Sequence, residues 1–211
     1  MRGLIESGCL DLVAVLAPDR AYAACRAALH QLINVAEPDG DASNGPAPIG
    51  AAPEAEPPAG TRVRVLACGP SRTEPVRLFS RSGEVAGDDI VLVHDPARAF
   101  TPAGPVCDVV AAIRAGAPAA VPVEPVTDTI KVAGPDGVVT GTRDRSGLRC
   151  VQSPQGFRGE VLLRSAAAGQ VVPRERVHTV RGHPHGLRVV SEFDFTVAEA
   201  LIVTGDTEHP A

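Results

Sequence analysis

Short apolar runs alternate with helical segments along most of the chain. Uninterrupted aliphatic runs such as 12–16 and 90–93 are typical of strands buried on both faces of a parallel sheet, and segments such as 105–115 carry a helical apolar period. The predicted strands are 12–16, 62–66, 90–93, 119–123, 177–180 and 187–190, and the predicted helices are 3–8, 20–32, 77–82, 105–115, 158–168 and 194–203. This order predicts an α/β fold, with a mostly parallel sheet and helices on both faces.

Two segments interrupt the alternation. Residues 36–60 are rich in Ala, Pro, Gly and Glu and keep no apolar period, so we expect a disordered insertion there. Residues 127–133 and 138–143 are strand-like and flank Pro135-Asp136-Gly137, a turn signal, which predicts a β-hairpin. We expect this hairpin to form an arm over 127–147 that protrudes from a single domain spanning 1–211.

Composition excludes several classes of function. The formal net charge is −5 and the basic residues form no run, which argues against nucleic acid as a partner. The five cysteines are scattered without a CxxC pair or zinc-ligand spacing, which is typical of free thiols in a reducing compartment. The sequence has no apolar stretch of membrane-span length and no signal-peptide pattern, so we expect a cytoplasmic protein without a membrane partner.

The candidate chemistry lies after the strand at 90–93 and on the arm. Asp95 and Arg98 follow that strand at its carboxyl end, where ligands bind in open α/β sheets. A carboxylate suits Mg²⁺ and a guanidinium suits phosphate, although such a pair also braces turns. Lys131 is the only lysine beside nineteen arginines. Its compact charge would suit an anionic ligand, with chance placement as the alternative.

Four motifs occur in the order typical of one enzyme family. They are Val91-Leu-Val-His-Asp-Pro-Ala-Arg98, Thr127-Asp-Thr-Ile-Lys131, Thr142-Arg-Asp-Arg-Ser146 and Val151-Gln-Ser-Pro-Gln-Gly-Phe157. The chain thus resembles the 2-C-methyl-D-erythritol 4-phosphate cytidylyltransferases of the non-mevalonate isoprenoid pathway. The resemblance implies a Rossmann-like nucleotidyltransferase fold, transfer of CMP from CTP to the sugar-alcohol phosphate with release of pyrophosphate, Mg²⁺ as cofactor, and a homodimer formed through the 127–147 arm.

The resemblance also assigns roles by matched position. Asp95 would bind the metal and, with Arg98, face the sugar phosphate. Thr129 and Arg145 on the arm would contact the substrate phosphate, and Ser153 takes the place of a family threonine. The nucleotide-binding candidates are Gly69, at the family's cytosine-binding turn, and Arg72, which follows it. The catalytic candidates are Asp95, Arg98, Lys131 and Arg188, the last where the family has a lysine.

The sequence departs from the family at several positions. Family members open with a strand and a glycine-rich loop that cradles the triphosphate, whereas this chain starts at what resembles the following helix. Pro75 stands at a family serine and His185 at a family acidic residue. Three hypotheses stay open. The chain is a cytidylyltransferase with a late recorded start, or a short homologue that has lost catalysis and serves as a binding or dimerising protein, or a nucleotidyltransferase for another alcohol phosphate such as ribitol phosphate.

Overall fold

A computed structural model describes a large part of the chain. The described residues are 4, 7–18, 21, 23–24, 27–28, 62–68, 74–168 and 176–204. The insertion expected at 36–60 and the candidates Gly69 and Arg72 lie outside them. The chain divides into two compact units. The first takes in 92–156 and the chain from 176 onward, and the second takes in 2–91 and 157–175.

The second unit contains a parallel strand pair and helices. Strand β1 (Leu12–Pro18) pairs in parallel with β2 (Arg62–Cys68), and parallel strands require a long connection such as the one between them. The unit also contains α1 (Glu74–Arg81) and α3 (Gly159–Ala167), and the buried residues of α3 include Val161 and Leu162. The described residues of the helix predicted at 20–32 are helical. Its alanines at 24, 27 and 28 are exposed.

The first unit is built around a five-stranded sheet. Its strands are β3 (Ile90–Val93), β4 (Ala119–Pro125), β7 (Arg149–Val151), β8 (Gln155–Arg158) and β9 (Val177–Arg181). They run in the order β3–β8–β4–β7 with β9 paired to β4, and the boundary between the units falls within β3 and β8. Strand β4 is parallel to β9 and antiparallel to β7. The loop that carries Asp95 follows directly after the carboxyl end of β3.

Helix α2 (Ala103–Arg114) contributes much of the core of the first unit. Val106, Val109 and Ile113 recur at helical spacing and are fully buried, as are Ala119 and Ala120 of β4. The helix ends before Gly116, whose φ of 106° is one that residues with a side chain rarely adopt. Helix α4 (Glu192–Thr204) closes the described chain. The predicted helices at 105–115 and 194–203 are thereby confirmed.

The predicted arm is present. Strands β5 (Ile130–Ala133) and β6 (Val139–Arg143) form an antiparallel pair in which Lys131 lies opposite Thr142. Gly137 adopts a φ of 79° in the turn, which explains why glycine stands there. All five residues of β6 are exposed, so the hairpin is held by its own ladder.

One predicted strand is absent, and two strands of the structure were not predicted. Residues 187–190 form no strand, because this segment crosses the loop after β3 and makes only isolated contacts there: the Val189 N–H donates to the Ala97 carbonyl at 2.8 Å. Strands β7 and β8 were not predicted, since three- and four-residue strands with polar members show no usable period.

Within the described part of the chain, no helix is both long and apolar enough to cross a membrane.

Candidate active site

A closed turn positions Asp95 and Arg98 at the end of β3. The Asp95 Oδ1 accepts the Ala97 N–H at 3.0 Å, and the Arg98 N–H donates to the Asp95 carbonyl at 2.9 Å. Aspartate is favoured at such a position because its short side chain caps the backbone two residues further on. The turn thus fixes both predicted side chains on rigid backbone where the strand ends.

Asp95 forms an ion pair with Arg188, which lies far from it in sequence. The Arg188 Nε donates to Asp95 Oδ2 at 2.8 Å, and the two side chains are 42% and 33% exposed respectively. Burial alone would raise the pKa of Asp95. The hydrogen bond from Ala97, the Arg188 guanidinium and nearby Arg98 outweigh that effect and leave the pKa below its ordinary value. The carboxylate is therefore ionised at neutral pH, and it pairs with a guanidinium that is accessible to solvent.

The guanidinium of Arg98 is engaged with backbone carbonyls. It donates to the Gly186 carbonyl through Nη1, and to the Val151 carbonyl through Nη2 at 3.1 Å. Burial lowers the pKa of Arg98 and the Asp95 carboxylate opposes that change, but a guanidinium stays charged in proteins. Arg98 accordingly ties the loop after β3 to the end of β7 and to the 3₁₀ turn Pro184–Gly186. Its positive charge remains beside Asp95.

Ser153 forms hydrogen bonds with the same loop. Its buried Oγ accepts the Asp95 N–H at 3.1 Å and lies 3.1 Å from the His94 Nδ1. Burial lowers the pKa of His94 to about 4, so the imidazole is neutral at physiological pH. The backbone of Arg98 partly offsets the effect of burial on the pKa of His94, and Nδ1 is the ring nitrogen within hydrogen-bond distance of the serine hydroxyl. His94, which received no role from the sequence, therefore orients Ser153. We refer to His94, Asp95, Arg98, Ser153 and Arg188 as the Asp95 cluster.

A second group of residues without a predicted role lies beside this cluster. The Gln152 amide donates to the His183 carbonyl at 2.9 Å and accepts the His183 N–H at 3.0 Å. The His183 Nδ1 accepts the His185 N–H at 3.1 Å, and burial together with His185 lowers the pKa of His183. Gly182 and Gly186 flank the two histidines in the sequence, which indicates a tight turn. The spacing of the glycines does not reveal that Gln152 binds this turn.

The candidates on the arm form a separate, exposed group. The Lys131 Nζ donates to the Thr142 Oγ1 at 2.7 Å, and Arg145 donates to the Thr127 carbonyl. Thr129 is exposed. Across the described residues, no hydrogen bond or ion pair joins these side chains to the Asp95 cluster. The sequence candidates thus fall into two sets, one at the carboxyl end of β3 and one on the hairpin.

The Asp95 carboxylate has a limited capacity for a metal. In the described chain, no group of three or more His, Cys, Asp or Glu side chains is arranged to hold an ion. Each oxygen of Asp95 accepts one hydrogen bond, which leaves lone pairs for a further contact. Mg²⁺ is commonly held by one or two carboxylates together with substrate phosphates and water. The residues present therefore fit a Mg²⁺ that substrate phosphates hold in large part.

Comparison with known proteins gives a consistent result. The family model described as IspD, 2-C-methyl-D-erythritol 4-phosphate cytidylyltransferase, matches residues 50–204. The enzyme of that name from Saccharopolyspora erythraea is 47% identical over 152 residues, which cover 66% of this chain and 68% of the relative. The one from Rhodococcus jostii is 36% identical over 215 aligned residues, covering 96% of this chain and 80% of the relative.

The fold agrees with that assignment. The crystal structure of 4-diphosphocytidyl-2C-methyl-D-erythritol synthase from Anaerococcus prevotii superposes with a TM-score of 0.69, covering 96% of this chain and 86% of that one at 15% identity. The prediction of a Rossmann-like α/β fold is confirmed. The chain belongs to the 2-C-methyl-D-erythritol 4-phosphate cytidylyltransferase family.

Proposed function

We propose that this protein transfers CMP from CTP to the phosphate of 2-C-methyl-D-erythritol 4-phosphate. An oxygen of the acceptor phosphate forms a bond to the α-phosphorus of CTP, the α–β phosphoanhydride bond breaks, and pyrophosphate leaves. Membership of the family supports this reaction. The observation that carries it is the Asp95–Arg188 ion pair beside Arg98, at the end of β3 where α/β enzymes bind ligands.

The charges of the Asp95 cluster suit the requirements of this reaction. Two polyanions must approach each other, so catalysis consists mainly of positioning and of neutralising charge. Arg188 uses only its Nε on Asp95, which leaves the Nη groups of an exposed side chain for phosphate oxygens. Arg98 contributes its charge and holds the surrounding backbone. Ser153 keeps Asp95 in place through the Asp95 N–H.

The arm would supply the contacts to the acceptor. Lys131, Arg145 and Thr129 combine two cations with a hydroxyl on an exposed hairpin, which suits a phosphate group. Gly69 and Arg72 remain our candidates for contacts to the cytidine nucleotide.

Magnesium is the cofactor that we propose, with Asp95 as its protein ligand. When bound between phosphates, the ion would neutralise charge on the triphosphate and on the leaving pyrophosphate. Asp95 would keep its hydrogen bond from Ala97 while offering a free lone pair, and the depressed pKa of Asp95 keeps the carboxylate charged at neutral pH.

We propose that the protein acts as a homodimer assembled through the arm. A two-stranded hairpin is marginally stable alone, and this one exposes Val138 and Val139, each at 58%, together with Val132. Burial of these valines against a second copy would stabilise the arm. Light scattering at micromolar concentration should give twice the chain mass, and Val139→Lys should shift the mass toward the monomer. A wild-type monomer would refute the assembly.

The cytoplasm is the compartment that we propose. Cys150 is an exposed free thiol, which suits a reducing environment.

The function is tested by pyrophosphate release from CTP and 2-C-methyl-D-erythritol 4-phosphate with Mg²⁺. Turnover that requires all three components supports the proposal. Turnover with ribitol phosphate in place of methylerythritol phosphate would replace the acceptor. A folded protein that releases no pyrophosphate with either acceptor, and gives no heat on titration with CTP and Mg²⁺, would refute catalysis and favour a binding or dimerising role.

A further inference from the structure

We infer that Gln152 is a positioning residue that sets Arg188 against Asp95. The inference deepens the proposed function, on which it rests for its catalytic consequence. Gln152 is buried, with 8% of its surface exposed, and its side-chain amide forms hydrogen bonds with the backbone of His183. Its backbone N–H donates to the Pro122 carbonyl at 2.8 Å, so the residue is anchored on the central strand β4.

The side-chain amide of Gln152 pairs with the backbone of His183 as a residue of an adjacent antiparallel strand would. Its amide satisfies both the N–H and the C=O of His183, the pattern of a hydrogen-bonded pair in an antiparallel ladder. The Gly182 N–H donates in turn to the Val123 carbonyl at 2.9 Å. These three hydrogen bonds fix the entry of the 182–186 turn against β4.

The turn is shaped around this amide. A Cβ added to Gly182 would lie 2.6 Å from the Gln152 Oε1, and one added to Gly186 would lie 2.7 Å from the same oxygen. Both distances are too short for real contacts, so the two glycines leave the space that the amide occupies. A Cβ at Gly182 would also lie 2.9 Å from the Glu124 Oε1, so a side chain there would meet a second polar group.

The 182–186 turn connects Gln152 to the Asp95 cluster. Its last residue provides the carbonyl that Arg98 binds, and Arg188 follows two residues later. The neighbouring residue Ser153 holds the Asp95 N–H. The dipeptide Gln152-Ser153 therefore supports both members of the ion pair, Asp95 through Ser153 and Arg188 through the turn. Nothing in this arrangement requires Gln152 to touch a substrate.

The direct test follows the Arg188 Nε–H in a proton–nitrogen correlation spectrum, assigned with Arg188→Lys. In the wild type, the hydrogen bond to Asp95 should shift this resonance and slow its exchange with water. We expect Gln152→Leu, which keeps the volume and removes both hydrogen bonds, to move the resonance toward that of a free arginine. Gln152→Glu keeps an acceptor for the His183 N–H and should give a smaller change, and it replaces the leucine variant should that one fail to fold. Ser165→Ala, at another buried polar position, is the matched control and should leave the resonance unchanged.

A double-mutant cycle tests the catalytic consequence. Gln152→Leu should lower kcat about tenfold with a smaller effect on KM, because a misplacement of charge near the reacting phosphates costs roughly 10- to 100-fold. In an Arg188→Gln background the same change should cost no more than about twofold, because the positioned group is gone. An unchanged Arg188 resonance, or equal losses in both backgrounds, would overturn the inference. Absence of turnover in the wild type would instead refute the proposed function, and the resonance would still decide the role of Gln152.

Discussion

Replacing Arg188 with Gln should separate the catalytic from the structural contribution of the Asp95–Arg188 pair. The variant keeps an N–H at the position of the Arg188 Nε and removes the charge together with the two Nη groups. The Asp95 carboxylate is not left without a partner, because Oδ1 still accepts the Ala97 N–H at 3.0 Å. The change is therefore confined to one cation.

The structure gives a small expected cost in stability. With its members 42% and 33% exposed, the pair resembles a surface ion pair, which contributes about 0–1 kcal/mol to the free energy of unfolding. For a chain of this size that corresponds to a Tm lower by up to about 4 °C. The expected cost in activity is much larger. Loss of a preorganised group aimed at charge that develops in the transition state lowers kcat by roughly 10²–10³-fold, or about 3–4 kcal/mol.

The assay combines pyrophosphate release at saturating CTP and acceptor with a thermal unfolding curve for each protein. Arg188→Lys is the matched control, since it keeps the charge and loses the planar donor set, so its kcat should fall between those of the wild type and Arg188→Gln. A Tm lowered by more than about 10 °C together with a kcat within twofold of the wild type would contradict a catalytic role for Arg188. Arg188 would then act as a structural brace.

Two further predictions concern His94 and Lys131. Burial lowers the pKa of His94 to about 4 from an ordinary 6.5, so between these pH values the unfolded chain binds a proton at His94 and the folded chain does not. The free energy of unfolding should therefore be highest above pH 6.5 and should fall as the pH drops toward 4. Urea unfolding at pH 7 and pH 4.5 should show about 2–3 kcal/mol more loss of unfolding free energy for the wild type than for His94→Asn, which keeps a hydrogen-bonding partner for Ser153. Equal losses in the two proteins would contradict this origin. Lys131→Ala should change the unfolding free energy by less than about 0.5 kcal/mol, since Lys131 is exposed and bonds only Thr142 among the described residues, yet lower kcat/KM at least about tenfold. Lys131→Arg should retain most of the activity if charge suffices, and full activity of Lys131→Ala would remove the lysine from the site.

Local regularities in the sequence predicted most elements of the fold. The apolar run at 90–93 and the helical period over 105–115 were sufficient because burial imposes a period on residues that are close in the chain. The hairpin followed from Pro135-Asp136-Gly137, since a tight turn restricts the backbone of only a few residues. The segment at 187–190 misled this reasoning because apolar residues that line a loop have the composition of a strand.

The candidate site shows the same division between local and distant information. Asp95 and Arg98 were predicted together because both follow one strand within a single turn. The ion pair between Asp95 and Arg188 joins residues 93 positions apart, and the Gln152–His183 pairing spans 31 positions. Contacts of this kind depend on how the turn after β9 packs against β4 and on the space left by two glycines. The alternation of elements and the chemistry available at the end of β3 follow from residues that are close together in the chain. Which distant side chains complete the site depends on tertiary packing, because no period along the chain records a contact made through space.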